Sequence, residues 1–81
     1  MEYDLLFGNR ALKDLRKLDK RSSKRIIDKI EALTNDLSGD VKKLTDHSPQ
    51  YRLRVGDFRV LFDLDENTIF IQRVLNRRES Y

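Results

Sequence analysis

Residues Tyr51–Phe62 read YRLRVGDFRVLF, and the alternation within this stretch decides the fold. Tyr51, Leu53 and Val55 alternate with Arg52 and Arg54; after Gly56-Asp57, Phe58, Val60 and Phe62 alternate around Arg59. Two period-2 runs joined by two turn residues predict a β-hairpin, because glycine accepts the positive φ that a tight loop demands. With Gly56-Asp57 as the loop, Val55 opposes Phe58, Leu53 opposes Val60 and Tyr51 opposes Phe62, which gives one buriable face. The same register sets Arg54 opposite Arg59, with Arg52 further along the same face. Like charges so opposed cost roughly 0.2–0.5 kcal/mol. A solvated, splayed pair accounts for them; so does an anion site, because guanidiniums on a rigid surface grip phosphate oxygens bidentately.

Downstream of the hairpin, Asp65–Thr68 reads as a second turn and Ile69–Leu75 as a third antiparallel strand. Upstream, Tyr3–Phe7 suits a strand ended by Gly8-Asn9, with Asn9 expected to cap a helix over Arg10–Leu18 that buries Ala11, Leu12, Leu15 and Leu18. Asp19–Ser22 reads as a polar turn. Ser22 or Ser23 is then expected to cap a second helix over residues 24–37, whose apolar stripe is Ile26, Ile27, Ile30, Leu33 and Leu37. Gly39 suits the left-handed position after that helix, and Asp40–Gln50 reads as a loop plugged by Val41 and Leu44. The order is β-α-α-β-β-β. It describes a two-layer α+β fold: an N-terminal strand, an antiparallel helical hairpin, then three antiparallel strands, with the helices on one face of a twisted sheet. The other face, bearing Arg52, Arg54 and Arg59, is left partly open.

The 81 residues are expected to form a single domain, 1–81. No cysteine staples it, so a compact core or a partner must complete it. The N-terminus has no secretory or membrane-spanning pattern, and a cytoplasmic location is expected. A net charge of +3 is modest, but residues 1–25 hold eight Lys/Arg against four Asp/Glu. The helices carry Lys13, Arg16, Lys17, Lys20, Arg21, Lys24 and Arg25 on outward positions, and Lys42, Lys43 and Arg78 extend the basic surface. Such a run suits a polyanionic partner as well as an ordinary solvated face.

The single histidine, His47, sits in a polar loop and reads as a surface residue. Histidine-pair and metal-ligand chemistry have no residues to work with, and no metal or cofactor is expected. Asp57, Asp63, Asp65 and Glu66 fall at turns by their spacing, which leaves paired-carboxylate chemistry unsupported. What remains is arginine and tyrosine: the hairpin arginines, then Arg77, Arg78 and Tyr81 after the last strand. Such a cluster can stabilise a pentavalent phosphorane electrostatically, without metal or histidine.

YRLRVGDFRVLF followed by IQRVLNRRESY resembles the signature of the RelE/ParE superfamily, the toxins of type II toxin–antitoxin modules, and looks closer to its RelE branch. The resemblance spans essentially the whole chain. It implies a ribosome-dependent endoribonuclease that cleaves mRNA in the A site by 2′-OH attack on the adjacent phosphate. By position, Arg52 and Arg54 match the basic residues that contact phosphate and assist proton transfer, and Arg59 the arginine that stabilises the transition state. Arg77 matches the residue serving the leaving group, and Tyr81 the tyrosine that stacks on or activates the nucleotide. The basic helical surface would rest on ribosomal RNA. A cognate RelB-like antitoxin is implied, with operator DNA bound only through the toxin–antitoxin complex. Asn76 departs from the pattern, standing where many relatives carry His or Lys, and asparagine cannot shuttle protons near neutral pH. The alternatives are a ParE-like DNA gyrase poison on the same fold, and a non-catalytic basic RNA-binding module. The last would need stacking aromatics on the open face, where only Phe70 is a candidate.

Overall fold

The computed structural model describes residues 2–37, 39–44 and 48–76. The hairpin forms in the expected register: β3 (Tyr51–Val55) and β4 (Phe58–Asp65) pair Val55 with Phe58, Leu53 with Val60 and Tyr51 with Phe62. Gly56 takes φ +58° at the first loop position, where a type II′ turn places glycine. The next loop, Glu66-Asn67, also puts its positive φ (54°) on its first residue and leads into β5 (Thr68–Asn76).

The remaining elements are β1 (Asp4–Phe7), α1 (Asn9–Arg16), α2 (Lys20–Asp36) and β2 (Asp40–Lys43). The five strands form one sheet in the order β1-β5-β4-β3-β2, with β1 parallel to β5 and every other pair antiparallel. The helical connection carries the chain from β1 at one edge of the sheet to β2 at the other, which leaves β1 and β5 side by side. A bulge interrupts β4–β5: Leu61 faces Arg73 and Phe62 faces Ile71, which leaves Gln72 as the extra residue.

Ala11 and Leu15 of α1 and Ile26, Ile30 and Leu33 of α2 are buried in one cluster with Leu53, Val55, Val60, Phe62, Ile69, Ile71 and Val74 of the sheet. Tyr51 stacks on Phe62 with ring centroids 5.3 Å apart. The helices therefore cover the sheet face predicted by the alternation. Gly8 makes the tight step from β1 into α1, since a Cβ there would stand 3.2 Å from the Ile71 carbonyl oxygen and 3.3 Å from the Phe70 ring.

Several local expectations are corrected. Asp40–Lys43, expected within a loop, is an edge strand paired with β3, and Val41 packs on the core from it. Helix α1 begins at Asn9 with Gly8 at the cap position and no capping side chain; Leu12 is 39% exposed, because the buried stripe runs through Ala11 and Leu15. Helix α2 starts earlier than its apolar stripe, at Lys20. Its cap is Asp19, whose carboxylate accepts from the Ser22 N–H at 3.1 Å. Leu37 rather than Gly39 ends it in the left-handed conformation (φ 57°), donating its N–H to the Leu33 carbonyl. Asp63 lies in β4 and accepts from the Gln50 N–H and the Gln72 side chain, so it is not a turn residue.

A carboxylate joins the two layers at the edge of the sheet. β1 pairs with β5 only as far as Phe7–Ile71, so the outer edge of β5 runs on beyond it. There Asp14 of α1 accepts from the Val74 N–H at 2.9 Å and from both the Nε and Nη2 of Arg73, at 2.8 and 3.2 Å. Burial alone would raise the Asp14 pKa, but the Arg73 and Val74 hydrogen bonds and the charges of Arg73 and Lys17 outweigh it. They hold the carboxyl below its ordinary 3.8.

Candidate functional site

Residues paired across a sheet share a face, so the register alone builds a row Asp40–Arg54–Arg59–Leu75 on the face away from the helices. The side chain of Arg54 is 54% exposed, and Arg59 is half-buried beside it. Together with Gly56 and Asp57 they line a depression of about 160 Å³ at the loop end of the hairpin. Among the described residues, Asp57 is the one carboxylate in that lining. Asp40 stands at the far side of Arg54, its Oδ2 3.9 Å from Nε, and at 57% exposure such a long contact compensates little of the charge. The opposed arginines thus meet a concave, water-accessible space whose described lining carries more positive than negative charge. An oxyanion is the ligand such a space accommodates.

Arg52 lies where the alternation puts it but not in the state expected. It is buried, 8% exposed, flanked across the strands by Lys42 and Leu61, with its Nη2 3.8 Å from Asp40. Its Nη1 is buried without a hydrogen-bond partner among the described residues. Buried polar atoms are nearly always satisfied, and exceptions concentrate at functional or strained places. The open face therefore presents two accessible hairpin arginines with a third guanidinium beneath the surface. Asp40, the carboxylate between Arg52 and Arg54, is the residue that sequence reasoning missed. Its only signal was its place after Gly39 at the start of a short chain segment.

Lys13, Arg16, Lys17, Lys20, Arg21, Lys24, Arg25, Lys42 and Lys43 are all exposed. His47, Arg77, Arg78 and Tyr81 lie outside the described residues. β5 ends at Asn76 opposite Phe58, next to the hairpin loop. No helix among the described residues is long and apolar enough to cross a membrane.

Fold and site together define a small α+β protein with two helices behind an antiparallel core sheet and arginines concentrated on the open face. Over residues 5–81 the chain matches the ParE toxin family of type II toxin–antitoxin systems (parDE). It is 35% identical to Toxin RelE3 of Methanocaldococcus jannaschii over 82 residues, covering 95% of this chain and 93% of that one. Among solved structures it is similar to the RelB–RelE antitoxin–toxin complex of Methanococcus jannaschii, at 34% identity and a TM-score of 0.76 over 90% of this chain and 91% of that one. The RelBE2 toxin–antitoxin complex of Mycobacterium tuberculosis gives 26% identity and a TM-score of 0.81 over 95% of this chain and 100% of that one. The chain belongs to the RelE/ParE superfamily of type II toxins.

Proposed function

We propose that this protein is a ribosome-dependent mRNA endoribonuclease that arrests translation and is neutralised by a cognate antitoxin. The observation that carries the reading is the pairing of Arg54 with Arg59 across the hairpin, at the rim of the open depression. In the proposed reaction a ribose 2′-oxygen bonds to the adjacent phosphorus and the bond from phosphorus to the 5′-oxygen breaks. The 2′ proton leaves and the 5′-oxygen gains one. Arg54 and Arg59 hold the non-bridging oxygens as negative charge builds on them. Arg52 adds positive potential from beneath, where solvent screens it less. Arg77, one residue beyond the end of β5, serves the leaving group, and Tyr81 stacks on or activates the nucleotide.

Arginine is essentially always protonated and Asn76 cannot titrate, so these groups make a weak proton-transfer set. Alignment of the 2′-oxygen, phosphorus and leaving oxygen has to come from outside the chain, and a decoding ribosome supplies it. The purified protein is therefore expected to leave free RNA nearly intact at stoichiometric amounts and to cut the same RNA when ribosomes are translating it. Rapid cutting of free RNA would overturn the reading.

The exposed cations of the helices act in docking. Changing Lys13, Lys17 and Lys20 together to Gln is expected to weaken ribosome binding and to flatten its dependence on salt. The slope should fall by about 0.7–0.9 for each phosphate no longer neutralised. An unchanged slope would mean that this surface is only solvated. The antitoxin, RelB-like by analogy with the relatives solved as RelB–RelE complexes, supplies acidic and amphipathic segments that fold on binding to the basic domain. It also makes the operator contacts of the complex. The working location is the cytoplasm, where ribosomes and mRNA are found.

The match to the ParE toxin family favours one other reading, a DNA gyrase poison. It predicts gyrase-dependent DNA breaks with no mRNA cleavage, so both assays on one preparation separate the two.

A further inference from the structure

We propose that Arg25, carried on α2, is a further guanidinium of the phosphate site at the hairpin tip, reaching it past Gly56. The inference rests on the reading of Arg54 and Arg59 as phosphate-binding residues and extends their site to the helical layer.

Gly56 is where the two layers meet. It lines the depression between Arg54 and Arg59, and Arg25 lies against it from α2. A Cβ built on Gly56 would stand 3.2 Å from Arg25 Nη1, 3.4 Å from Cζ and 3.5 Å from Nη2. The whole guanidinium plane, and not merely the side-chain stem, is therefore packed over the loop. Glycine suits this position by its φ of +58°, and a Cβ here would press on the guanidinium, which would have to give by a few tenths of an ångström.

The charge environment gives this placement its meaning. Arg52 and Arg54 share Asp40, and Arg73 is held by Asp14. Arg25 has no hydrogen bond or carboxylate within ion-pair distance among the described residues, although Asp28 lies one helical turn away and Asp57 is the next loop residue. A cation lying against a loop with no counter-ion among the described residues has its forked donors available to a ligand. Arg54 and Arg59 approach the loop from the open sheet face and Arg25 from the helical side. A phosphodiester over Gly56 is thus gripped from both sides, which point-charge attraction by a distant lysine cannot reproduce.

The test is a titration of the intact protein with inorganic phosphate, followed on the Gly56 amide signal by NMR. Wild type is compared with Arg25→Gln, Arg25→Lys, Arg59→Gln, the Arg25→Gln/Arg59→Gln pair, and Lys29→Gln, which removes the same charge from the same helix one turn beyond Arg25. Arg25→Gln is expected to weaken phosphate binding at Gly56 by about threefold or more, as for a partly exposed charged contact. Arg25→Lys should recover part of this, and Lys29→Gln should change little. The paired variant should lose less than the two single losses multiplied, because the residues serve one ligand. If Arg59→Gln weakens binding while Arg25→Gln behaves as Lys29→Gln does, the Arg25 assignment falls and the hairpin site stands. An Arg25→Gln variant that melts lower but binds phosphate normally would make Arg25 a brace of the loop, and also overturns the proposal. Equal binding by wild type, Arg25→Gln and Arg59→Gln would overturn both this inference and the phosphate reading of the hairpin.

Discussion

Replacing Arg59 with Gln is expected to slow mRNA cleavage on the ribosome by roughly 10²- to 10³-fold, the usual cost of deleting one preorganised donor to a developing oxyanion. The fold should tolerate the change. Arg59 stands directly opposite Arg54, so removing one of two like charges relieves a cross-strand repulsion and offsets part of the packing that the side chain provided. Its position is half-buried rather than sealed. The melting temperature of the Gln variant should therefore stay within a few degrees of wild type, and antitoxin binding should persist. Arg59→Lys keeps the charge but lacks the planar fork, and is expected to fall between the two. A Gln variant that cleaves at the wild-type rate would remove Arg59 from the chemistry.

The largest effect on stability is expected at Asp14. Its carboxylate takes three hydrogen bonds from β5, and its side chain is 11% exposed. Asn would keep an acceptor for the Val74 N–H but lose the charged pair with Arg73. Asp14→Asn should cost about 2 kcal/mol, within the range for hydrogen bonds to charged groups. That corresponds to a melting temperature lower by about 8–16 °C in a domain of this size.

The pH dependence follows from the direction of the shift. The folded-state pKa is depressed below 3.8, so the unfolded chain binds the proton more readily. The contribution is fully present above 3.8 and is lost as pH falls through the lower folded value. Wild type should accordingly lose more stability than Asp14→Asn as pH is lowered through and below that window. Parallel melting curves, with a deficit below about 0.5 kcal/mol, would reduce the contact to an ordinary surface pair.

The hairpin is legible in the sequence because period-2 alternation and a glycine at a two-residue loop determine register together. The opposition of Arg54 and Arg59 follows from nothing more. The stripe of α2 is legible for the same kind of reason. β2 is not, since Asp40-Val41-Lys42-Lys43 offers one apolar side chain, and the strand forms because β3 presents an unpaired edge. Nothing in Tyr3–Phe7 says that it will lie parallel to β5, a pairing set by the path of the helices.

The placement of the hairpin arginines was legible in the alternation, and their exposure less so. An arginine alternating on an open strand reads as solvated. Arg52 is buried because its flanking strands and Asp40 are brought to it by tertiary structure. Arg25 is likewise one basic helical residue among several until the fold lays it against Gly56. Asp14 looks like an ordinary helix charge until β1 stops short and leaves the β5 edge to be satisfied.

The most direct test of the central claim is to map mRNA 5′ ends after induced expression. A transcript would be supplied in a translated copy and in a copy lacking its start signal, with wild type compared against an Arg54→Gln/Arg59→Gln variant. New 5′ ends are expected within the reading frame of the translated copy alone, and should disappear with the variant. Equal cutting of the untranslated copy, or cutting that survives loss of both arginines, would contradict the account.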